Sequence, residues 1–242
     1  MNSNKNNVRS TETSPLVYAR IAGVLYLFIA VSGFFNMMFG PSSLIVLGDA
    51  ATTVNNIMAS ESLFRLGIVN DLIAQTVGIL LVIALYKLLK PVNKNQALLM
   101  VIFALVGIPI VMLNLLNQFA AQLLLSGANY LTVFAADQLQ ALVMLFLNLD
   151  EHGFFIAHIF WGLWLFPMGY LVYKSGYIPR ILGILLIIAG FGYLIDFVTF
   201  FFVPSFGPIK MFTFIGELLL PLWLLIKGVN VKQWEKRALE SA

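Results

Sequence analysis

The sequence contains six almost entirely apolar stretches, each about 20 residues long. They cover residues 18–38, 66–89, 98–118, 154–173, 181–203 and 211–227. An α-helix rises about 1.5 Å per residue, so about 20 apolar residues are needed to cross the roughly 30 Å hydrocarbon layer of a membrane. A helix also satisfies its backbone hydrogen bonds within its own segment, as a chain in lipid must do. The sequence therefore predicts six transmembrane helices.

The amino-acid composition agrees with lipid as the solvent of this chain. Of the 242 residues, 60% are hydrophobic and only 10% are charged, whereas a soluble domain carries about 25% charged residues. The mean hydropathy is +0.93. The predicted fold is an all-α polytopic membrane protein, with a six-helix transmembrane bundle over residues 18–228. A polar segment (1–17) precedes the bundle and a basic tail (229–242) follows it.

Several classes of protein and site are excluded or disfavoured by the same data. The chain has no cysteine, so disulfides, thiolate metal sites and iron–sulfur clusters are excluded. No basic cluster or motif indicates nucleic-acid binding. The first apolar run lacks a small-residue cleavage site, so we expect a spanning helix there and not a cleaved signal peptide.

The Lys and Arg residues predict the orientation of the bundle. If the six stretches all span, 12 of the 14 Lys and Arg residues lie on one side. These are Lys5, Arg9, Arg20, Lys87, Lys90, Lys94, Lys174, Arg180, Lys227, Lys232, Lys236 and Arg237. Only Arg65 and Lys210 lie on the other side. Because cytoplasmic links are enriched in Lys and Arg, we expect a multi-pass protein of the cell membrane with both termini in the cytoplasm.

The links on the predicted outer side are long enough to hold helices of their own. Asp49 is placed to cap a helix that runs to about residue 64. Apolar residues recur at helical spacing within residues 130–149, and polar residues stand at both ends of that segment. We expect amphipathic helices on this side. The second of them either lies along the membrane interface or dips into it.

Local motifs resemble one family of bacterial membrane proteins. The matching segments are ARIAGVLY at 19–26, RLGIV at 65–69, LYKLLKPV at 85–92, WGLWLFP at 161–167, SGYIPR at 175–180 and Glu217 with WLLIKG at 223–228. Over roughly residues 16–230 the chain resembles the family called domain of unknown function 4386. The resemblance implies a compact multi-span fold. It implies no activity, substrate, cofactor or catalytic residue.

Four ionisable side chains fall inside the predicted spans, namely Asp71, His158, Asp196 and Glu217. Burying such a group in a membrane costs about 2.5–3.5 kcal/mol on insertion scales, so these groups usually face the bundle interior or water. Counting residues from the span ends places all four roughly 6–11 Å below the outer surface. We expect them to face one volume, with at least three within about 10 Å of one another.

These residues and their polar neighbours form a candidate intramembrane pocket in the outer half of the bundle. Its members are Glu217, His158, Asp196, Asp71, Arg65, Gln75, Asn114 and Gln118. Glu217 ranks first and His158 second. Pro221 follows Glu217 by four residues and frees its carbonyl oxygen. Structural roles remain open: His158 as a hydrogen-bonded interior residue, and Asp71 and Asp196 as partners of Arg65 or Lys210.

The sequence leaves three functions open. The leading hypothesis is binding or transport of a small amphipathic or lipid-like molecule, with proton coupling. The second is an intramembrane lipid hydrolase. If a metal assists it, His152, His158, Asp196 and Glu217 have to supply the ligands. The third is a structural or regulatory subunit. No phosphate loop, zinc helix or nucleophile elbow is present, so no catalytic residue, metal or cofactor is assigned. The expected partners are membrane lipids and a lipid-like or amphipathic ligand, and the oligomeric state stays open.

Overall fold

The structure, a computed structural model, describes residues 14–203 and 206–241, apart from the side chain of Lys210. All regular elements among these residues are helical. The helices are α1 (Pro15–Met38), α2 (Pro41–Leu44), α3 (Ala50–Ala59), α4 (Glu61–Leu89), α5 (Lys94–Asn114), α6 (Leu116–Leu124), a 3₁₀ turn (Asn129–Leu131), α7 (Ala136–Ser175), α8 (Arg180–Phe202), α9 (Lys210–Thr213), α10 (Ile215–Ile226) and α11 (Val231–Glu240). The predicted all-α bundle is confirmed. Most of the predicted polar segment, residues 1–13, lies outside the described residues.

Five helical segments are long and apolar enough to cross a membrane by themselves. They are Pro15–Leu44, Glu61–Leu89, Lys94–Leu124, Ala136–Ser175 and Arg180–Phe202. A sixth is reached only if Met211–Ile226 is counted together with Val231–Glu240, from which it is bent by 103°. The chain is therefore a multi-pass membrane protein with five spans, or six if this bent pair completes one. Helix α10 alone is about 18 Å long, too short to cross the hydrocarbon layer.

The segment 130–149 differs from the separate outer helix that we expected. Most of it is the first part of α7, which runs unbroken for 40 residues from Ala136 to Ser175. At 1.5 Å per residue α7 is about 60 Å long, about twice the thickness of the hydrocarbon layer. The polar residues of 148–152 therefore do not interrupt the helix. They lie along it, where neighbouring helices can contact them.

The other helices expected in the links on the predicted outer side are present, but their ends differ from the predicted ones. The side chain of Asp49 caps α3 as expected and accepts a hydrogen bond from the Thr52 amide at 2.9 Å. Helix α3 ends at Ala59 and not near residue 64, because Ser60 leaves helical geometry before α4 begins. The third predicted span stops at Asn114, and α6 continues after Leu115.

The short turns at the other end of the bundle match the sequence. Helix α4 ends at Leu89 and α5 begins at Lys94, on either side of Pro91. Helix α7 ends at Gly176, whose φ of 75° is the left-handed value that favours glycine. The end that carries these turns also carries most Lys and Arg residues, and we call it the Lys-rich end. The end that holds α2, α3 and α6 is the opposite end.

Helix α7 is the central element, and glycines hold α8 against it. A Cβ at Gly169 would lie 2.7 Å from the carbonyl oxygen of Gly183. Seven residues earlier on α7, a Cβ at Gly162 would lie 2.9 Å from the carbonyl oxygen of Gly190. The seven-residue spacing on both helices keeps these glycines on one seam. Small residues let membrane helices approach closely, and van der Waals contact then holds them together.

Two apolar clusters fill the interior, and polar side chains lie between them. The larger cluster is at the Lys-rich end and includes Leu85, Leu165 and Leu186. The smaller cluster is at the opposite end and includes Ile57, Phe64 and Val143. The residues of α4 and α7 that fall between the two clusters include Asp71, Asp150 and His158. These three residues therefore belong to a polar layer across the bundle.

The basic tail is a helix docked on the Lys-rich end. The indole Nε1 of Trp234 in α11 and the hydroxyl of Tyr177 both donate to the carbonyl oxygen of Leu88, each at 2.8 Å. That carbonyl is among the last four of α4, which have no partner within the helix. Arg237 donates to the carbonyl oxygen of Lys174 at 3.2 Å. Helix α11 thus connects the end of α4 to the turn between α7 and α8.

Candidate functional site

Glu217 lies at the break between α9 and α10 and is held by two tyrosines. The hydroxyl of Tyr26 in α1 donates to its Oε2 at 2.9 Å, and Tyr193 in α8 also hydrogen-bonds to its side chain. Glu217 is in the first turn of α10, where the helix dipole favours a negative charge. Pro221 stands one turn later, as the sequence indicated, and lies inside the helix.

His158 is the most enclosed of the predicted site residues. Its side chain is fully buried and its ring is surrounded by aromatic rings. The centroid distances are 4.8 Å to Phe155, 4.9 Å to Phe154, 5.3 Å to Tyr193 and 5.5 Å to Trp161. Because Tyr193 contacts both His158 and Glu217, it connects the two residues that the sequence ranked highest.

Asp196 connects α8 to the segment that precedes α9. It is buried, and its Oδ1 accepts a hydrogen bond from the backbone amide of Ile209 at 2.6 Å. Its charge also acts on Tyr193. The alternative in which Arg65 pairs with Asp71 or Asp196 is not what the structure has, because Arg65 forms its ion pair with Glu61. The alternative pairing of Asp196 with Lys210 involves the side chain of Lys210, which lies outside the described part of the structure.

These residues form a column, which we call the Glu217 cluster: Tyr26, His158, Tyr193, Asp196 and Glu217. Tyr26 is at the middle of α1, so Glu217 lies nearer mid-bundle than the sequence predicted. Tyr193 and Asp196 are successively closer to the far end of α8. The column therefore leads from the middle of the bundle toward the opposite end. Among the described residues, no three His, Asp or Glu side chains are grouped as metal ligands would be.

Asp71 makes its contacts in a second group. Its side chain hydrogen-bonds to Asn36, and its charge interacts with that of Asp150. Asn36 in turn donates to the carbonyl oxygen of Gly67 at 3.2 Å and accepts from Asn70 at the same distance. These bonds tie α1 to α4. We expected Asp71 to face the same interior volume as His158, Asp196 and Glu217, and this stays a prediction.

Asn114 and Gln118 belong to the same second group. Asn114 Nδ2 donates to the Asp150 Oδ1 at 2.9 Å, and Gln118 Nε2 donates to the Asp150 Oδ2 at 2.8 Å. A Cβ at Gly153 would collide with the Asn114 side chain, so this glycine permits the contact. We call Asn36, Asn70, Asp71, Asn114, Gln118 and Asp150 the Asp150 cluster.

Gln118 has an unused acceptor. Only 7% of the residue is exposed, and its Oε1 has no hydrogen-bond donor among the described residues. The orientation of the amide follows from Asp150, whose carboxylate requires the NH₂ group. A buried acceptor without a donor is costly, so this atom is suited to a donor from water or from a bound molecule.

Arg65 lines a cavity at the opposite end and does not lie in the polar layer. The cavity has a volume of about 240 Å³ and lies between α3, α4 and α6. Its lining residues are Ile57, Met58, Glu61, Phe64, Arg65, Gln122, Leu125 and Ser126. We call it the Arg65 cavity. Gln75 is half-buried on α4, one turn from Asp71 on the same face.

The predicted pocket omitted five residues of the two clusters: Tyr26, Asn36, Asn70, Asp150 and Tyr193. Tyr193 precedes Asp196 by three residues and so shares its helix face, which was an available signal. Asp150 precedes His158 by eight residues, or about two turns, but it was assigned to a link. Nothing in the local sequence marks Tyr26, because its partner Glu217 is 191 residues away.

Comparisons with known proteins agree with this architecture. Residues 21–228 match the family described as "Domain of unknown function (DUF4386)". An "Uncharacterized protein" of Archaeoglobus fulgidus is 36% identical over 153 residues, which are 62% of this chain and 76% of that protein. No solved structure matches. The match covers most of the transmembrane bundle, including both polar clusters, and the chain therefore belongs to the DUF4386 family.

Proposed function

We propose that the protein binds a small amphipathic or lipid-like molecule at the opposite end of the bundle and has a transport role. The observation that carries the proposal is the lining of the Arg65 cavity. Glu61, Arg65 and Gln122 supply charged and polar groups, while Phe64 and Leu125 supply apolar surface. A site with both kinds of surface suits a ligand with a polar head and a short apolar tail.

The Asp150 cluster supports the proposal because it adjoins this cavity along α6. Gln122 lines the cavity and Gln118 is one turn away on the same helix face. The buried Oε1 of Gln118 can accept a hydrogen bond from a ligand hydroxyl or ammonium group. The Glu217 cluster holds further ionisable side chains nearer mid-bundle. An ionisable group at that depth is a functional candidate by default, and it is where proton coupling would act.

The orientation that we propose places the Lys-rich end in the cytoplasm and the Arg65 cavity outside. Its support is the charge distribution. Among the described residues, the Lys-rich end holds Lys87, Lys90, Lys94, Lys174, Arg180, Lys227, Lys232, Lys236 and Arg237. Such an excess of Lys and Arg is typical of cytoplasmic links. In this orientation the ligand enters the cavity from outside the cell.

The other two functions have less support. A metal-assisted hydrolase would require several ligands close together, and no observation on the described residues favours such a site. A structural subunit would need the polar clusters only as contacts between helices. The hydrogen bonds that Asp196 and Asn114 form within the protein are compatible with a structural role. The experiment below separates that role from ligand binding.

The proposal is tested by thermal unfolding of the purified protein with octanoic acid, octylamine or octane-1,2-diol as probes. At 100 times its dissociation constant, a ligand stabilises the folded state by about 2.7 kcal/mol. For a chain of this length, that raises the unfolding midpoint by roughly 5–10 °C. We expect at least one probe to produce this shift. Octanoic acid would indicate Arg65 as the main contact, and octylamine would indicate Glu61.

The matched variants are Ser126→Trp and Val133→Trp. Ser126 lines the cavity and is exposed, so the indole would occupy the cavity without disturbing the core. Val133 is 79% exposed at the same end and lies outside the cavity lining. The shift should disappear in Ser126→Trp and persist in Val133→Trp. An equal shift in both variants, or no shift with any probe on the wild type, would contradict the proposal.

A further inference from the structure

A second cavity lies at the other end of the molecule, on the membrane-facing surface between α8 and α10. This groove has a volume of about 340 Å³. Its lining residues are Leu182, Leu219, Leu222, Trp223, Ile226 and Lys227. It is separate from the Arg65 cavity, and none of its residues belongs to either polar cluster.

The groove is apolar along its length and has one positive charge at its end. From Leu219 to Lys227 the chain of α10 advances about 12 Å, and the side chains between them are leucine, tryptophan and isoleucine. Trp223 packs against the larger apolar cluster, so one wall of the groove is fixed by the core. Lys227 is the first residue after α10, and it lies at the Lys-rich end.

Lys227 forms no ion pair with any of the described residues. The ion pairs among the described residues are Arg65–Glu61, Lys236–Glu240 and Arg237–Glu240, and none of them involves Lys227. Its side chain is exposed, and the surrounding end of the bundle is rich in further Lys and Arg residues. A partner with a negative charge is therefore attracted to this end of the groove.

We propose that the groove holds an acyl chain of one anionic glycerophospholipid, whose phosphate lies beside the ammonium group of Lys227. The apolar lining of the groove suits an acyl chain, and the ammonium group of Lys227 attracts a negatively charged headgroup. A zwitterionic lipid would add a second positive charge to an end that already has an excess of them. The site does not depend on the proposed ligand of the Arg65 cavity, so each can fail without the other.

The test is native mass spectrometry of the full chain released from nanodiscs of equal parts phosphatidylglycerol and phosphatidylcholine. We expect one retained phosphatidylglycerol per chain, in preference to phosphatidylcholine. Lys227→Gln should reduce that preference about fivefold, the contribution of one Lys near a membrane surface. Lys227→Arg should restore it. Ile226→Trp should displace the lipid, and since Ile226 is 72% exposed, the indole does not disturb the core.

Lys232→Gln is the control, because Lys232 is an exposed residue of α11 outside the groove. This variant should retain the wild-type preference. An equal loss in Lys232→Gln and Lys227→Gln would mean general attraction to the basic surface and would overturn the site. Equal retention of the two lipids by the wild type would overturn it as well. If Lys227→Gln does not fold, retention of the lipid by Ile226→Trp would decide against the proposal.

Discussion

Glu217 accepts hydrogen bonds in the bundle interior from tyrosines of two other helices, α1 and α8. Its carboxyl group therefore has a structural role, and two substitutions separate that role from the chemical one that we propose. Glu217→Gln keeps the shape and an acceptor oxygen but cannot titrate. Glu217→Ala removes the acceptor of the buried Tyr26 hydroxyl.

If Glu217 is functional, Glu217→Gln should fold normally and abolish any pH dependence of ligand-induced stabilisation, and His158 should be the next most sensitive position. We expect Glu217→Ala to lower the free energy of unfolding by about 1–3 kcal/mol, because the Tyr26 hydroxyl loses its partner. Thermal unfolding with and without the probe amphiphiles, at several pH values, measures both effects. A silent Glu217→Gln variant in these assays would leave Glu217 as a contact between helices only.

Tyr177 allows a pH prediction outside the spans. Burial raises the pKa of its phenol well above the ordinary value near 10, although the positive charge of Arg237 acts in the opposite direction. The unfolded chain therefore loses this proton first as the pH rises. The contribution of Tyr177 to stability is full below about pH 10 and is lost as the pH rises through the folded pKa.

Tyr177→Phe should cost about 1 kcal/mol near neutral pH, because one of the two donors to the Leu88 carbonyl is lost. The difference from the wild type should shrink above pH 10. Chemical unfolding between pH 7 and pH 11.5 measures the difference, and Tyr130→Phe, at a site that is 66% exposed, is the control. A difference that grows with pH would contradict the assignment.

The sequence could identify which side chains are costly in lipid, but not which of them meet. Asp71, His158, Asp196 and Glu217 were found from their position in apolar runs, and the contacts then place Asp71 with Asp150 and Asn36. Depth counted along one helix says nothing about the neighbouring helix. The Tyr26–Glu217 hydrogen bond depends on how α1 packs against α10, which no local pattern encodes.

At the scale of elements, hydropathy located the helices because each span must satisfy its own backbone in lipid. Hydropathy gave the wrong helix boundary where a group of polar residues was interpreted as the end of a helix. Residues 148–152 looked like a link, yet α7 continues through them because Asp150 is paired with Asn114 and Gln118. The break between α9 and α10 was missed for the opposite reason, since its residues are apolar on both sides.

The contact between α7 and α8 gives a prediction at this scale. Gly169→Val places a side chain against the carbonyl oxygen of Gly183, so the helices must separate. We expect a loss of about 1–3 kcal/mol in the free energy of unfolding. Gly33→Val is the matched control, because a Cβ there meets no atom within 4 Å. An equal loss in the two variants would show that the glycine seam does not hold the helices together.

At the scale of the whole molecule, the polar layer lies between two apolar clusters of unequal size. The larger cluster fills the bundle interior at the Lys-rich end, and Trp234 of α11 packs against it. The smaller cluster leaves the Arg65 cavity beside it. The opposite end therefore holds a cavity beside its apolar core, and in the proposed orientation the ligand enters from that side.

The orientation itself is tested by reporter fusions. The position of the C-terminus distinguishes five crossings from six, because α10 is short and the segment Met211–Ile226 is bent by 103° from α11. With six crossings, fusions at Lys94 and Ala242 should both report the cytoplasm, and a fusion at Tyr130 should report the exterior. With five crossings, Ala242 would report the exterior while Lys94 stayed cytoplasmic. Because α11 is docked against Leu88 and Lys174 at the end that includes Lys94, we expect Lys94 and Ala242 to give the same signal. Opposite signals would mean that α10 does not complete a span.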